Sequence, residues 1–357
     1  MRAMDHAEDR LFRLGLLLAG SGARIRRLVG ESGEAENLLA ALAATGNIRS
    51  LVDTAAQLAI TEGPEVLQRV EAAGWRWMTP GGRGYPVLLQ TMTDPPLGLF
   101  VRGELVDAPA VAVVGSRKAS PYGRQVARLL GEELGRAGVV VVSGMARGID
   151  EAAHRGALAA GGTSWAVWGT GPDRLYPPEH GELAEALVER GVLMTEYPPG
   201  TPPRRHHFPE RNRILAGVAR AVVVVEAAVR SGALVTARLG LEEGREVLAV
   251  PGNIFSEVSI GPNALLRLGA RPLLTPRDVF DAIGVVPPPS TKTVEEPELM
   301  RHLPAGEALT VDEVAARAGK TVSQIHGDLL ELELRGDLLR GVDGRYARAR
   351  SEPAGPS

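Results

Sequence analysis

Residues 204–217, RRHHFPERNRILAG, set Arg204, Arg205, Arg211 and Arg213 around a single acidic residue, Glu210. The local charge is +3 in a chain whose formal net charge is -3. Phe208 and Pro209 sit in the middle. Guanidiniums neutralise phosphates, and an aromatic ring stacks on a base that no duplex holds. The spacing therefore suits a single-stranded polynucleotide. Pro209 disfavours a helical conformation at Phe208, which predicts a loop with an extended backbone and a projecting ring. A solvated basic turn with Phe208 tucked into the core fits the same residues. His206 and His207 point apart in an extended chain, so a shared metal is not expected.

Other short stretches carry similar chemistry. GSRKASPYG (115–123) offers Gly115, Ser116, Arg117 and Lys118, then Ser120 as a helix cap ahead of Pro121. Exposed amides at such a helix start bind anions. SGMARGID (143–150) brings Gly144, Ala146 and Arg147. AVRSGALVTA (228–237) holds Ser231, Gly232, Ala233 and Thr236 at another helix start, and PGNIFS (251–256) carries Asn253. The dinucleotide fingerprint G-x-G-x-x-G is absent, so a nicotinamide cofactor is not expected. No cofactor or metal is read from the sequence.

These loops need a frame that gathers them. Strand patterns recur at VAVVG (111–115), VVVVSG (139–144), SWAVWG (164–169), VLMTEY (192–197), AVVVVEA (221–227) and EVLAVPG (246–252), separated by helix-length segments. Near-continuous apolar runs of this kind form a parallel sheet covered on both faces. Ligands bind outside the carboxyl ends of its strands, where all of these loops fall. LGLFVRG (97–103) reads as a short edge strand in a Gly- and Pro-rich connector, 81–110.

Composition bounds the reading. The chain has 357 residues, 44% of them hydrophobic and 23% charged, and Cys 0. Disulfides and thiolate chemistry are excluded. No apolar run reaches membrane-spanning length, so membrane insertion is not expected and a cytoplasmic protein is. Only Lys118, Lys292 and Lys320 are lysines. The near-neutral balance argues for a local nucleic-acid site over a basic coat.

Residues 1–80 read as short helices, with Leu11, Leu14, Leu17 and Leu18 at helical spacing, a break at AGSG, and further helices over 23–29, 38–43 and 48–58. The pattern is similar to a sterile-alpha-motif or helix-hairpin-helix module. Its net charge of -1 favours packing over DNA contact. Residues 285–297 form a Pro-rich linker. Residues 298–350 read as helix, turn, helix and hairpin, a winged helix-turn-helix, before a disordered tail at 351–357. Segment 321–337 carries Asp328, Glu331, Glu333 and Asp337 against Arg335 alone. That balance is wrong for a helix entering a phosphate-lined groove. The wing, with Arg340, Arg345, Arg348 and Arg350, is basic. A protein partner is therefore favoured for this module and duplex DNA comes second.

The strings YPVLLQTMTDPPLGLFVRG, VAVVGSRKAS, SGMARGIDEAAHRGAL, AVWGTGPDRLYPPEH, HFPERNRILAG, SGALVTARLGLEEGREVLAVPGN and SIGPNALLRLGA run in order through residues 85–270. Together they resemble the bacterial DNA-processing protein A family (DprA, also called Smf). The resemblance implies an extended Rossmann-like α/β domain flanked by a helical and a winged-helix module. It implies a dimer without catalysis that binds single-stranded DNA in natural transformation, protects the strand and loads the RecA recombinase. It places Gly115, Ser116, Arg117, the 204–213 loop and the turn 231–233 at the DNA pocket. The family commonly reads GSGSLIT where this chain has SGALVT, so Ala233 withholds one hydroxyl.

Two further expectations complete the reading. A nucleotide phosphoribohydrolase of the same fold superfamily is the alternative, with Glu226 and Arg230 as its acid and cation, although its PGG-x-GT turn is missing. A symmetric homodimer is expected through Leu265, Leu268, Val279, Phe280 and Ile283, whose apolar clusters cap the core in the competing reading.

Overall fold

The computed structural model describes residues 6–20, 49–287, 297–304, 306–334, 337–341 and 344–348. The expected helices at 23–29 and 38–43, most of the 285–297 linker, residues 342–343 of the expected hairpin, Arg350 and the tail lie outside them. The chain forms two compact units, Met1–Pro287 and Pro288–Ser357.

Nine strands make the sheet of the first unit: β1 (Arg76–Met78), β2 (Leu99–Gly103), β3 (Ala110–Val114), β4 (Val140–Ser143), β5 (Ser164–Val167), β6 (Gly191–Thr195), β7 (Ala221–Val224), β8 (Glu246–Ala249) and β9 (Arg271–Pro272). Their order is β1-β2-β6-β5-β4-β3-β7-β8-β9. From β6 to β9 every pairing is parallel. The six expected strands are all present, and the runs that defined them are buried on both faces, as in β3. From β3 the chain works through β4 to β6 on one side, then crosses over and fills β7 to β9 on the other. That crossover makes the β3–β7 boundary a topological switch point, where open α/β sheets bind ligands.

Two differences from the expected architecture matter. β2 is not an edge strand: it lies between β1 and β6, antiparallel to both. Leu99, Phe100 and Val101 are all fully buried, with a strand on each side and side chains packed over the faces. β1, inside the stretch read as helical, is too short for its period to show. The helices His6–Leu18, Arg49–Thr61 and Gly63–Ala72 do form, and Gly15 lets the first approach the second: a Cβ there would lie 2.1 Å from the Ala55 carbonyl oxygen. Their apolar faces share one core with Trp75, Trp77, Phe100 and Trp168.

The larger correction is at the basic stretch. Residues His207–Val218 are a helix, the crossover from β6 to β7. Pro209 stands in its first turn, where no intrahelical N–H is required and a proline is tolerated. Phe208 is therefore helical, not extended. The rings of His206 and His207 do not point apart but meet edge to face with centroids 4.5 Å apart.

The second unit is a winged helix. The Val311–Ala318 helix opens with a capping box between Thr310 and Glu313. It packs with the Val322–Leu334 helix and a three-stranded sheet, β10 (Ala308–Leu309), β12 (Tyr346–Arg348), β11 (Leu338–Arg340), around Val314, Ile325, Leu329 and Leu338.

Candidate nucleic-acid interface

The segments that leave β3 and β7 face the crossover helix across a cleft of about 630 Å³. The first wall is Gly115, Ser116 and Arg117. Gly115 is needed there, because a Cβ would lie 2.5 Å from the Ile149 side chain. The second wall is the start of the Gly232–Glu242 helix, with Ser231, Gly232, Ala233 and Thr236. Ser231 caps it by accepting from the Ala233 amide at 3.3 Å. The dipole of an eleven-residue helix adds partial positive charge at this point. The third wall is Arg205, Phe208, Arg211 and Asn212, and Ala146 is also in the lining. Of the expected site residues, these twelve share one cavity.

Five stand elsewhere: Lys118, Gly144, Arg147, Arg213 and Asn253. Arg213 corrects the reading of the basic stretch most clearly. It is buried, ion-paired with Glu196 and with Asp94 at 3.1 Å, on another side of the helix from Phe208. Helical geometry separates what an extended loop would have aligned. Arg147 pairs with Glu179 beside a small crevice floored by Gly144 and Phe208. Lys118 is exposed just outside the cleft. Asn253 turns its Oδ1 to the Phe255 amide at 2.9 Å.

Arg211 lines the cleft but is no free cation. Only 5% exposed, it donates through Nη1 to the carbonyls of Gly144, at 2.9 Å, and Val167, and through Nε to Asn212 Oδ1 at 3.0 Å. Burial lowers its pKa to about 10, opposed by the nearby charge of Asp150. Asp150 lies in the floor, its carboxyl pushed up by burial and restrained by Arg211. It accepts from the amides of Gly144, at 3.1 Å, and Ala146, at 3.3 Å. The anion site expected of the SGMARGID turn is thus filled by the protein's own carboxylate.

The same holds at the Pro121–Arg136 helix. Glu226, 3% exposed at the end of β7, accepts from the Ser120 amide at 2.9 Å and from its hydroxyl. A ligand anion has no access to that amide. What remains open is a set of exposed guanidiniums, Arg117, Arg205 and Arg230, with Arg204 beside them. Among the described residues no carboxylate forms an ion pair with these four. Phe208 is half-buried among them. The Arg117 guanidinium stands 4.7 Å from its ring centroid, and the Tyr176 ring centroid 5.4 Å away.

Sequence reasoning missed Tyr176, Pro203 and Asp150, and took Arg230 only for the hydrolase reading. The signal for Asp150 was its place at the start of a helix behind a glycine turn. Tyr176 precedes β6 by a whole helix, and no local pattern brings it to the cleft.

The expected dimer residues are also redistributed. Val279, Phe280 and Ile283 belong to the core under β3, β7 and β8, because the Arg277–Ile283 helix closes that face of the sheet. Leu265 is partly buried against the other core. Leu268 is 80% exposed.

A mainly parallel sheet with a cation-rimmed cleft at its switch point, in a chain that also has a winged-helix unit, defines a Rossmann-like protein. Residues 76–284 match the model of the DNA recombination-mediator protein A family, and residues 286–344 that of the DprA winged helix domain. The chain belongs to this family, the DprA/Smf proteins. Protein Smf of Escherichia coli K12 is 42% identical over 283 residues, 74% of this chain and 75% of the relative. DNA processing protein DprA of Bacillus subtilis 168 is 37% identical over 223 residues, 62% of this chain and 75% of its own. The X-ray structure of DNA processing protein A from Streptococcus pneumoniae superposes with TM-score 0.68 at 32% identity, covering 79% of this chain and 98% of that one. DNA processing protein A from Helicobacter pylori, solved for its single-stranded DNA binding mode, gives TM-score 0.53 at 26% identity over 58% of this chain and 95% of its own.

Proposed function

We propose that the cleft binds single-stranded DNA without sequence preference, as part of DNA uptake in natural transformation. The observation that carries this is the rim of exposed, carboxylate-free guanidiniums around a half-buried Phe208 at the switch point. Cations take phosphates, and the Phe208–Tyr176 pair offers π-faces to any base. The H. pylori relative was solved for its single-stranded DNA binding mode, in line with this reading.

We further infer that the protein protects the strand without processing it. The acid a phosphoribohydrolase needs at Glu226 is buried and spent on Ser120. Loading of the RecA recombinase onto the strand, homodimer formation and action in the cytoplasm complete the proposal. Among the described residues no helix is long and apolar enough to cross a membrane.

The winged-helix unit is assigned to a protein partner. Its Val322–Leu334 helix carries Asp328 and Glu333, and two of the wing arginines are taken internally. Arg345 bonds the Ala308 carbonyl and Glu313, and Arg348 the carbonyls of Leu303 and Met300. The deciding experiment is a titration over a range of salt, with single-stranded and duplex DNA of one sequence. Single-strand affinity is expected to exceed duplex affinity and to fall with salt. Equal affinities for the two forms overturn the proposal.

A further inference from the structure

The loop after β8 presents apolar side chains that the cleft does not use. Phe255 is 90% exposed and Ile254 78%. A phenylalanine so exposed leaves most of its apolar area in water, a cost that a binding surface explains. The loop is tied to the chain next to the cleft, since Ala228, which lines it, follows Ala227. The Ala227 amide donates to the Val258 carbonyl at 2.7 Å, and the Gly261 amide to the Ala227 carbonyl at 2.8 Å. These bonds anchor it beside the β7 wall. Across the switch point, the Tyr122 hydroxyl donates to the Pro251 carbonyl at 3.4 Å. Val229, between the cleft-lining Ala228 and Arg230, and Tyr122 are both more than half exposed.

The tip has a fixed shape. Asn253 Oδ1 accepts from the Phe255 amide, and the Asn253 carbonyl accepts from the Ser256 amide at 3.0 Å. An asparagine turn of this kind sets the backbone of the next two residues. Asn253 thus fixes the backbone that carries Phe255. The charge nearby divides the labour. Lys118 and Arg124 are exposed on either side of Tyr122 in the chain, and Arg230 stands at the cleft rim. Glu257, exposed on the tip loop, makes the tip itself a poor phosphate site and leaves ring stacking as its chemistry.

We propose that residues 251–258 form a second strand subsite, in which Phe255 stacks on an unpaired base that has left the cleft past Val229 and Tyr122. The occupant is the strand already held in the cleft, because the loop is bonded to Ala227, next to the cleft-lining Ala228, and exposed cations flank it. The proposal rests on the strand-binding reading and assigns that site its exit.

The test is the affinity of oligo-dT as a function of length, from a mononucleotide to about 20 nucleotides, spanning the site sizes of single-strand binders. Wild type and Phe255→Ala are compared, with sedimentation of both. Short oligonucleotides confined to the cleft are expected to bind the two equally. On long ones Phe255→Ala is expected to lose roughly five- to a hundredfold in affinity, the range of one base stack. Phe255→Trp supplies a direct reporter, since the native tryptophans Trp75, Trp77, Trp165 and Trp168 are buried. Its emission is expected to be quenched by long oligonucleotides and not by short ones. If wild type itself gains no affinity with length, strand binding at the cleft fails. If wild type gains it and Phe255→Ala gains it equally, only the exit subsite fails. A shift of Phe255→Ala to a smaller sedimenting species, with long-oligonucleotide affinity intact, makes the tip a contact between copies and also overturns the subsite.

Discussion

Glu226, at the end of β7, holds both the amide and the hydroxyl of Ser120, 106 residues earlier in the chain. The bond crosses the switch point and ties the cleft's first wall to its second. Gly123 makes room for it: a Cβ there would lie 2.3 Å from the Glu226 carboxyl carbon. Glu226→Gln keeps the shape but exchanges one acceptor for a donor. The variant is expected to lose stability by roughly 1–3 kcal/mol, the usual cost of a mismatched buried polar group. The salt slope of strand binding is expected to stay unchanged. Thermal unfolding and a salt titration check both. Release of base from a nucleoside monophosphate by wild type, abolished in this variant, would instead establish the hydrolase.

Arg205 and Arg213 come from one basic stretch and predict opposite phenotypes. Arg205→Ala is expected to weaken single-strand binding and flatten its dependence on log salt by about 0.7, one phosphate contact. Its melting temperature should hold, because the side chain is exposed. Arg213→Ala leaves Glu196 buried without its cation. Breaking such a pair costs about 3–5 kcal/mol, with affinity per folded molecule intact. Replacing Arg213 and Glu196 together by methionines is expected to recover much of the loss. A lower salt slope in Arg213→Ala, measured on folded protein, would return that residue to the strand site.

His154 carries a pH dependence whose sign is fixed by its surroundings. It is fully buried, with Nδ1 2.7 Å from Ser164 Oγ, and Ser164 spends its proton on the Val141 carbonyl. Nδ1 is therefore the protonated nitrogen and the ring is neutral. Burial, with His180 and Arg211 assisting, lowers its pKa from 6.5 to about 3. Below pH 6.5 the unfolded chain binds a proton that the folded chain refuses. Stability is thus full above that value and is lost as pH falls toward the folded pKa, by up to about 1.4 kcal/mol per pH unit. Between about pH 6.5 and 5, above the ordinary carboxylate range, His154→Gln is expected to show a shallower slope than wild type in denaturant titrations. Equal slopes would mean that the imidazole titrates alike in both states.

The sheet was legible because its signal is redundant. Each of β3 to β8 is an apolar run next to a turn, and burial on two faces leaves that mark wherever it occurs. β1 and β9 are too short to leave one. The cleft was legible as a convergence of loops after the strands, since topology alone brings them together. The states of the individual residues were not. Pro209 reads as a breaker unless the helix start is known, and the start depends on where β6 ends. Once the stretch is helical, Arg211 and Arg213 leave the surface in different directions. Glu226 and Asp150 fill two anion sites from distant or unmarked positions, and no spacing rule announces a carboxylate that folds back on its own backbone.

Ile283 and Leu268 separate core from surface in the proposed dimer face. Ile283→Arg puts a charge into the core under β7 and β8 and is expected to unfold the protein. Leu268→Arg changes an exposed position and should leave the unfolding free energy within about 0.5 kcal/mol of wild type. If the proposed homodimer uses this face, Leu268→Arg sediments as a folded monomer at micromolar concentration. Unchanged sedimentation of a dimeric protein would place the interface elsewhere.

Phe208 and Arg117 are expected to act on the strand as a unit. The guanidinium lies over the ring at 4.7 Å, and Tyr176 backs the ring at 5.4 Å. An extended, isolated Phe208 would stack on a base and leave the phosphate contacts alone. A ring that steadies Arg117 does both. Phe208→Ala is therefore expected to cost about 1–3 kcal/mol of single-strand affinity through lost stacking. It is also expected to flatten the salt dependence by part of one charge, because Arg117 loses the face that orders it. Phe208→Tyr keeps the ring and should keep both. A double-mutant cycle with Arg117→Ala isolates the shared part, expected near 0.5–1 kcal/mol for a partly exposed cation–π pair. Melting curves on all four proteins guard against a packing explanation, since Phe208 also fills the space beside Gly169. Strictly additive losses, with the slope of Phe208→Ala equal to wild type, would show that ring and guanidinium bind the strand independently.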